Sequence, residues 1–192
     1  MHVLGISGSL RADSHNRRLL RAAAALLPPE AELVEFSGLK AIPAFDEDDE
    51  LAPAPAVLDW RDQIERADAL LFATPEYNSS IPGALKNAID WASRPFATSV
   101  LLNKPVAVIG TSTGMFGAVW AQAELRKTLA AAGARVLDRE LPVPDAERAF
   151  AADGALADHD QSLALGEILA ELLSETRARV AAESARQAPL AA

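Results

Sequence analysis

The sequence predicts an α/β protein with a parallel sheet covered by helices on both faces. Short apolar strand candidates alternate with helix candidates five times, without an internal repeat or a linker. Those strands are apolar throughout and do not alternate with polar residues, as a sheet buried on both sides requires. Three of the strand ends run into loops rich in Ser, Thr, Asn and Gly, where such a sheet places its ligand.

The elements follow in order. Val3 to Ile6 is too short for a helix and reads as a buried strand. Ser7, Gly8 and Ser9 break it, and an Ala- and Leu-rich helix runs from about Ser14 to Leu27, stopped by Pro28-Pro29. Glu32 to Phe36 alternates as a short strand. Residues 37–55 form a long irregular loop whose acidic run, Asp46 to Glu50, reads as a solvated face without the ligand spacing of a calcium loop. A loop of that length in a compact domain is more often a binding or interface element than an idle connection. Val57 to Ala67 is helical, with Val57, Trp60 and Ile64 on one side.

Ala69 to Ala73 is the third strand, and a helix from Pro82 to about Ala92 follows its loop. Pro105 to Gly110 is the fourth strand, and the helix after it ends at about Ala132, with Gly133 as its C-terminal stop. Ala134 to Leu141 contains the fifth strand. A last helix spans about Ala157 to Ala182 on the stripe Leu165, Ile168, Leu169, Leu172 and Leu173. One domain over residues 1–184 and a disordered tail over 185–192 are expected.

With 192 residues, half of them hydrophobic, the chain can bury a substantial core. Its formal charge of −9 argues against nucleic acid and against an anionic membrane surface as partners, so an anionic ligand must be held by local donors. The absence of cysteine excludes disulfides, thiolate chemistry and cysteine-type zinc sites. His2, His15 and His159 have no metal-ligand spacing, and no metal is expected; His15 reads as an exposed first-turn residue. Nothing at the N-terminus resembles a signal peptide and no apolar run nears the roughly 20 residues needed to cross a bilayer, so the expected location is the cytoplasm.

The densest chemistry lies in residues 3–18. A strand, a small-residue turn and a helix N-terminus in that order form an anion site, because first-turn N–H groups lack helical partners and the helix dipole adds positive charge. Ser9, Ser14 and Asn16 add side-chain donors and Arg11 a planar cationic fork. The plainer reading is a tight connection with Ser14 as N-cap. In a sheet of strand order 2-1-3-4-5, the loops after strands 1, 3 and 4 meet at the crevice between strands 1 and 3.

Three motifs resemble the NAD(P)H-dependent FMN reductases of flavodoxin-like fold, a family that includes bacterial chromate, quinone and azo-dye reductases. Gly8-Ser9-Leu10-Arg11-x-x-Ser14-x-Asn16 is similar to their phosphate loop. Thr74-Pro75-Glu76-Tyr77-Asn78-Ser79-Ser80-Ile81-Pro82-Gly83, with Leu85, Lys86, Asn87, Asp90 and Trp91 beyond it, is similar to their flavin-ring loop and the helix after it. Ser112-x-Gly114-x-x-Gly117, with Leu125-Arg126 downstream, is similar to their third loop. Where the family often has another glycine after Gly117, this chain has Ala118. The likeness covers residues 2 to about 142.

The resemblance implies a three-layer flavodoxin-like sheet of five parallel strands and an FMN-dependent oxidoreductase. In that reading Ser9, Arg11, Ser14 and Asn16 hold the FMN phosphate. Pro75, Glu76, Tyr77 and Asn78 line the isoalloxazine, and Ser112 and Gly114 close its other edge. Electrons pass from NAD(P)H through FMN to a quinone, azo compound, free flavin or similar small acceptor by a double-displacement scheme, and no residue is catalytic in the strict sense. Apolar Trp91, Phe96, Met115, Phe116 and Trp120 near the site loops, with Arg94 after the second motif, point to a homodimer or homotetramer. The rival readings are a flavodoxin-type electron carrier and a flavin-free nucleotide or sugar-phosphate binder on the same fold.

Overall fold

Alternation of side chains between the two faces of the strands builds the molecule. The computed structural model describes residues 1–187. Strand β1 (His2–Ser7) lies between β2 (Glu32–Glu35) and β3 (Ala69–Thr74), and β4 (Pro105–Thr111) follows β3. All these pairings are parallel, with Leu4 opposite Leu70 and Leu70 opposite Val106. Along β3, Leu70 and Phe72 point to one face while Ala69, Leu71 and Ala73 point to the other. Each face is covered, which is why β1, β3 and β4 read as unbroken apolar runs.

On one face, Leu4, Ile6, Phe72 and Val108 pack against α2 (Pro55–Arg66), α3 (Gly83–Ala92) and α4 (Val119–Ala131). Trp60 and Trp91, both fully buried, fill that layer, and Trp60 Nε1 donates to the Ala88 carbonyl at 2.8 Å. On the other face, Val3, Leu71 and Ile109 pack against α1 (His15–Leu26) and α5 (His159–Gln187). The stripe Leu165, Ile168, Leu169, Leu172 and Leu173 is buried as expected.

The order β2-β1-β3-β4-β5 is the expected one, with one change at its last position. The strand expected within 134–141 is the short β5 (Arg135–Val136), and an unexpected segment, β6 (Pro142–Val143), follows just beyond that range. Both pair parallel with β4, Val136 opposite Val106 and Val143 opposite Thr111. Between them the chain leaves the strand direction at Asp138 to Glu140, where Arg126 pairs with Glu140 at 3.1 Å. The long 37–55 loop is stitched onto α3. The Pro43 carbonyl accepts from Asn87 Nδ2 at 2.7 Å and Trp91 Nε1 at 2.9 Å, and Asn87 Oδ1 accepts from Phe45 N–H. Arg94 closes the stitch with Glu50 at 2.8 Å.

Helix α5 starts two residues later than expected, where Asp158 Oδ1 accepts from Gln161 N–H, and runs on through Gln187. The first three residues of the expected tail therefore continue a helix, and 188–192 lie outside the described residues.

At the end of the sheet away from the loops, Lys104 is buried just before β4. Its ammonium donates to the carbonyls of Ala67 at 2.7 Å and Glu65 at 3.2 Å, at the C-terminus of α2. Burial pushes its pKa down to about 8, Arg179 adds to the drop, and Asp68, Glu183 and Glu65 oppose it. The unfolded chain therefore binds the extra proton between pH 8 and 10.5, and the contribution of Lys104 to stability grows with pH across that window. Relative to Lys104→Met, the wild type should gain up to about 3 kcal/mol of unfolding free energy on going from pH 8 to 10.5. Urea unfolding of both proteins at the two pH values reads this, and a constant difference contradicts it.

Candidate functional site

The site lies where β1, β3 and β4 end side by side. Gly8 N–H donates to the Ala73 carbonyl at 2.8 Å, carrying the β1–β3 ladder into the first loop. A Cβ at Gly8 would stand 2.9 Å from Leu85 and 3.2 Å from Pro75, so glycine lets the two loops touch. Ser14 is the N-cap of α1: its Oγ accepts from Asn16 N–H at 3.2 Å, and its carbonyl accepts from Arg17 and Arg18 N–H. The N–H of His15, at the first helical position, faces away from any intrahelical acceptor.

Asn16 is 2 % exposed and its amide is used twice. Nδ2 donates to the Thr111 carbonyl at 3.0 Å and Oδ1 accepts from Thr111 N–H at 3.1 Å. This fastens the start of α1 to the end of β4. Thr111 Oγ1 in turn donates to the Val143 carbonyl at 2.9 Å, bringing β6 behind the third loop.

The loop after β3 is a two-residue hairpin. Tyr77 and Ser80 exchange N–H···O bonds at 3.0 and 3.1 Å around Asn78 (φ 53°) and Ser79 (φ 59°). Two successive left-handed residues make a type I′ turn, a conformation asparagine tolerates. Asn78 is thus the exposed tip of that turn and Tyr77 is half exposed.

The loop after β4 is braced from behind. Ser112 N–H donates to Val143 O, Ala146 N–H to Ser112 O, and Gln122 Nε2 to both Gly117 O and Leu141 O at 3.1 Å. Gly117 has φ +56°, and a Cβ there would stand 2.5 Å from the backbone of Pro142 and Val143. Gly114 carries no such constraint, since a Cβ there would meet only Ser112 Oγ at 3.8 Å.

A cleft between these loops is lined by Ser9, Arg11, Ser14 and Asn16 from the first and by Pro75, Glu76, Tyr77 and Ser112 from the other two. Asn78 and Gly114 lie outside its lining, on the loops that flank it. His15, Thr111 and Thr113 also line it. His15 is half-buried where exposure was expected, and its Nδ1 is shielded from solvent without a protein partner. The motif spacing gave a signal for His15, since it sits between Ser14 and Asn16. Thr111 gave none, because its role is in its backbone. Of the apolar residues grouped as an interface, Trp91 belongs to the core, while Met115, Phe116 and Trp120 are exposed beside the cleft, the last two edge to face at 4.9 Å.

The donor set fits a phosphate. The α1 end offers hydroxyls, a guanidinium and a helix N-terminus, and the carboxylate in the cleft, Glu76, is turned to the N–H groups of Trp120 and Ala121. Pro75 and Tyr77 of the second loop add apolar surface to the same cleft. The model of the NADPH-dependent FMN reductase family matches residues 1–148.

The chain belongs to that family.

It is 48% identical over 158 residues to an NAD(P)H-dependent FMN reductase of Pseudomonas aeruginosa, covering 81% of this chain and 84% of that one. It is 43% identical over 126 residues to a 2-hydroxy-1,4-benzoquinone reductase of a Burkholderia species, covering 66% and 68%. Among solved structures it is similar to FerB, a flavoenzyme NAD(P)H:(acceptor) oxidoreductase of Paracoccus denitrificans. The TM-score there is 0.80 at 36% identity, with 92% and 97% of the two chains covered. Membership makes this chain a flavodoxin-like oxidoreductase that uses FMN and NAD(P)H. Among the described residues no helix is long and apolar enough to cross a membrane.

Within this FMN reductase the Asn16 amide is the structural tie between two site loops. Asn16→Ala leaves the buried N–H and carbonyl of Thr111 unpaired, at about 1–3 kcal/mol each. Chemical denaturation should show a loss of about 2–5 kcal/mol, and a loss below 1 kcal/mol would mean the two backbone groups find other partners.

Proposed function

We propose that this enzyme transfers electrons from NAD(P)H to a quinone or similar small acceptor, with both substrates using one cleft in turn. The observation that supports this best is a single cleft lined both by the hydroxyls, guanidinium and helix start of the first loop and by Pro75 and Tyr77 of the second. Bound there, FMN would supply the capacity to take two electrons from the nicotinamide and release them to the acceptor.

The protein's part is to bind and orient. Ser9 and Ser14 hydroxyls, the His15 N–H and the Arg11 guanidinium would hold the phosphate. Asn16 would fix the angle at which α1 presents them and would line the phosphate end itself. Pro75, Glu76, Tyr77 and Asn78 would form one wall for the ring, and Ser112 and Gly114 its other edge. A hydroxyl or main-chain N–H at the ring edge stabilises negative charge there without a titrating side chain. No side chain of this set needs to act as acid or base.

The quinone as acceptor is favoured by the relatives that are quinone reductases, the Burkholderia enzyme and that of Pseudomonas putida, 45% identical over 130 residues. Dependence on NAD(P)H, a pool held inside the cell, supports a cytoplasmic location. Phe96 and Met115, 74% and 77% exposed, together with Phe116 and Trp120, favour a homodimer or homotetramer, which light scattering reads as a multiple of the 20.3 kDa chain. A lasting mass near one chain contradicts the assembly.

Arg11→Ala should weaken FMN binding tenfold to a hundredfold, the loss of a charge-assisted contact worth about 1.5–3 kcal/mol. Flavin titration of the apoprotein measures it, and unchanged affinity would place Arg11 in solvent. Use of one cleft by both substrates requires parallel double-reciprocal lines across a grid of NADH or NADPH and quinone. Intersecting lines would show that both substrates are bound together.

A further inference from the structure

Helix α4 begins without a cap of its own. Its N-cap position is Ala118, held in the left-handed region at φ 62°, with no side chain able to accept a hydrogen bond. Three N–H groups at this end need partners. Val119 finds the Phe116 carbonyl at 3.1 Å. Trp120 and Ala121 donate instead to a residue 44 and 45 positions earlier, Glu76 on the loop after β3, at 3.1 and 3.2 Å. Both bonds end on the same carboxylate oxygen, Oε2.

We propose that Glu76 is a positioning residue that clasps the β3 loop to the start of α4 and so sets the width of the flavin cleft. The strained turn at Ala118 would otherwise be free to relax, since it lies one residue past Gly117 and joins the third loop to α4. On the other strand of the clasp, Glu76 follows Pro75 and precedes the Tyr77–Ser80 hairpin, so fixing its side chain fixes the wall that Pro75 and Tyr77 present. With one oxygen shared by two N–H groups, the clasp depends on the reach of the side chain, and its charge adds to each bond. The position of Glu76 also neutralises the N-terminus of α4, closing it to an anionic ligand while the N-terminus of α1 stays open.

The proposal rests on the FMN reading for its second readout alone. Glu76→Gln keeps the length and one carbonyl oxygen and removes the charge; Glu76→Asp keeps the charge and loses one methylene of reach. Amide exchange at Trp120 and Ala121 in the flavin-free protein, and FMN affinity by fluorescence quenching, are measured for both variants and the wild type. The clasp predicts that Glu76→Gln, which keeps an oxygen within reach, speeds exchange of those two amides by no more than about threefold and loses less FMN affinity than Glu76→Asp. Glu76→Asp exchanges those two amides at least tenfold faster and binds FMN at least tenfold more weakly. Wild-type exchange in Glu76→Asp overturns the clasp whatever the cofactor. Faster exchange with unchanged FMN affinity overturns its role in setting the cleft, and exchange in Glu76→Gln as fast as or faster than in Glu76→Asp shows that reach does not decide the contact and overturns it as well.

Discussion

The two hydrogen bonds between the Asn16 amide and the Thr111 backbone are the constraint on which the rest of the site depends. A parallel sheet brings the ends of β1 and β4 to the same edge, but with β3 between them they do not touch. Asn16 bridges that gap from the first turn of α1, in a position that water does not reach. Through it the first loop inherits the rigidity of β4, and through Thr111 and Val143 it is tied to β6 as well. A buried amide satisfied at both ends contributes orientation beyond its modest net stabilisation, because any rotation leaves a polar group unpaired.

The site solves an electrostatic problem that follows from composition. A chain of formal charge −9 repels a phosphate at long range, so attraction has to come from donors within contact distance. The loop after β1 concentrates them: a helix N-terminus, two hydroxyls and Arg11. The carboxylate that faces the same cleft is turned to main-chain N–H groups of α4. At the opposite end of the sheet Lys104 meets the reverse case, a cation placed against the carbonyls at the C-terminus of α2, and burial lowers its proton affinity despite three acidic neighbours.

Much of this was legible in the sequence because the signals are local. Apolar runs at β1, β3 and β4, the proline at the start of α3 and Ser14 as N-cap each act within a few residues, and strand order follows from alternation. The fifth strand falls within 134–141 as read, while β6 went unread because two residues, one of them a proline, carry no strand signal and pair with β4 only through tertiary geometry. Trp91 reads from the sequence as core or interface, and that it is core depends on Pro43, 48 residues away on the 37–55 loop. The departure at Ala118 was visible, but its consequence was not: the left-handed turn and the borrowed cap from Glu76 come from tertiary geometry. Thr111 escaped notice because a backbone acceptor has no sequence signature.

The central claim is that the N-terminus of α1 holds a phosphate and thereby anchors the flavin. Calorimetric titration of the apoprotein with FMN and, separately, with riboflavin tests this directly, since the two ligands differ by that phosphate alone. The account predicts that FMN binds at least about a hundredfold more tightly, the combined effect of a charge-assisted contact and a helix N-terminus. Equal affinities for the two would contradict it.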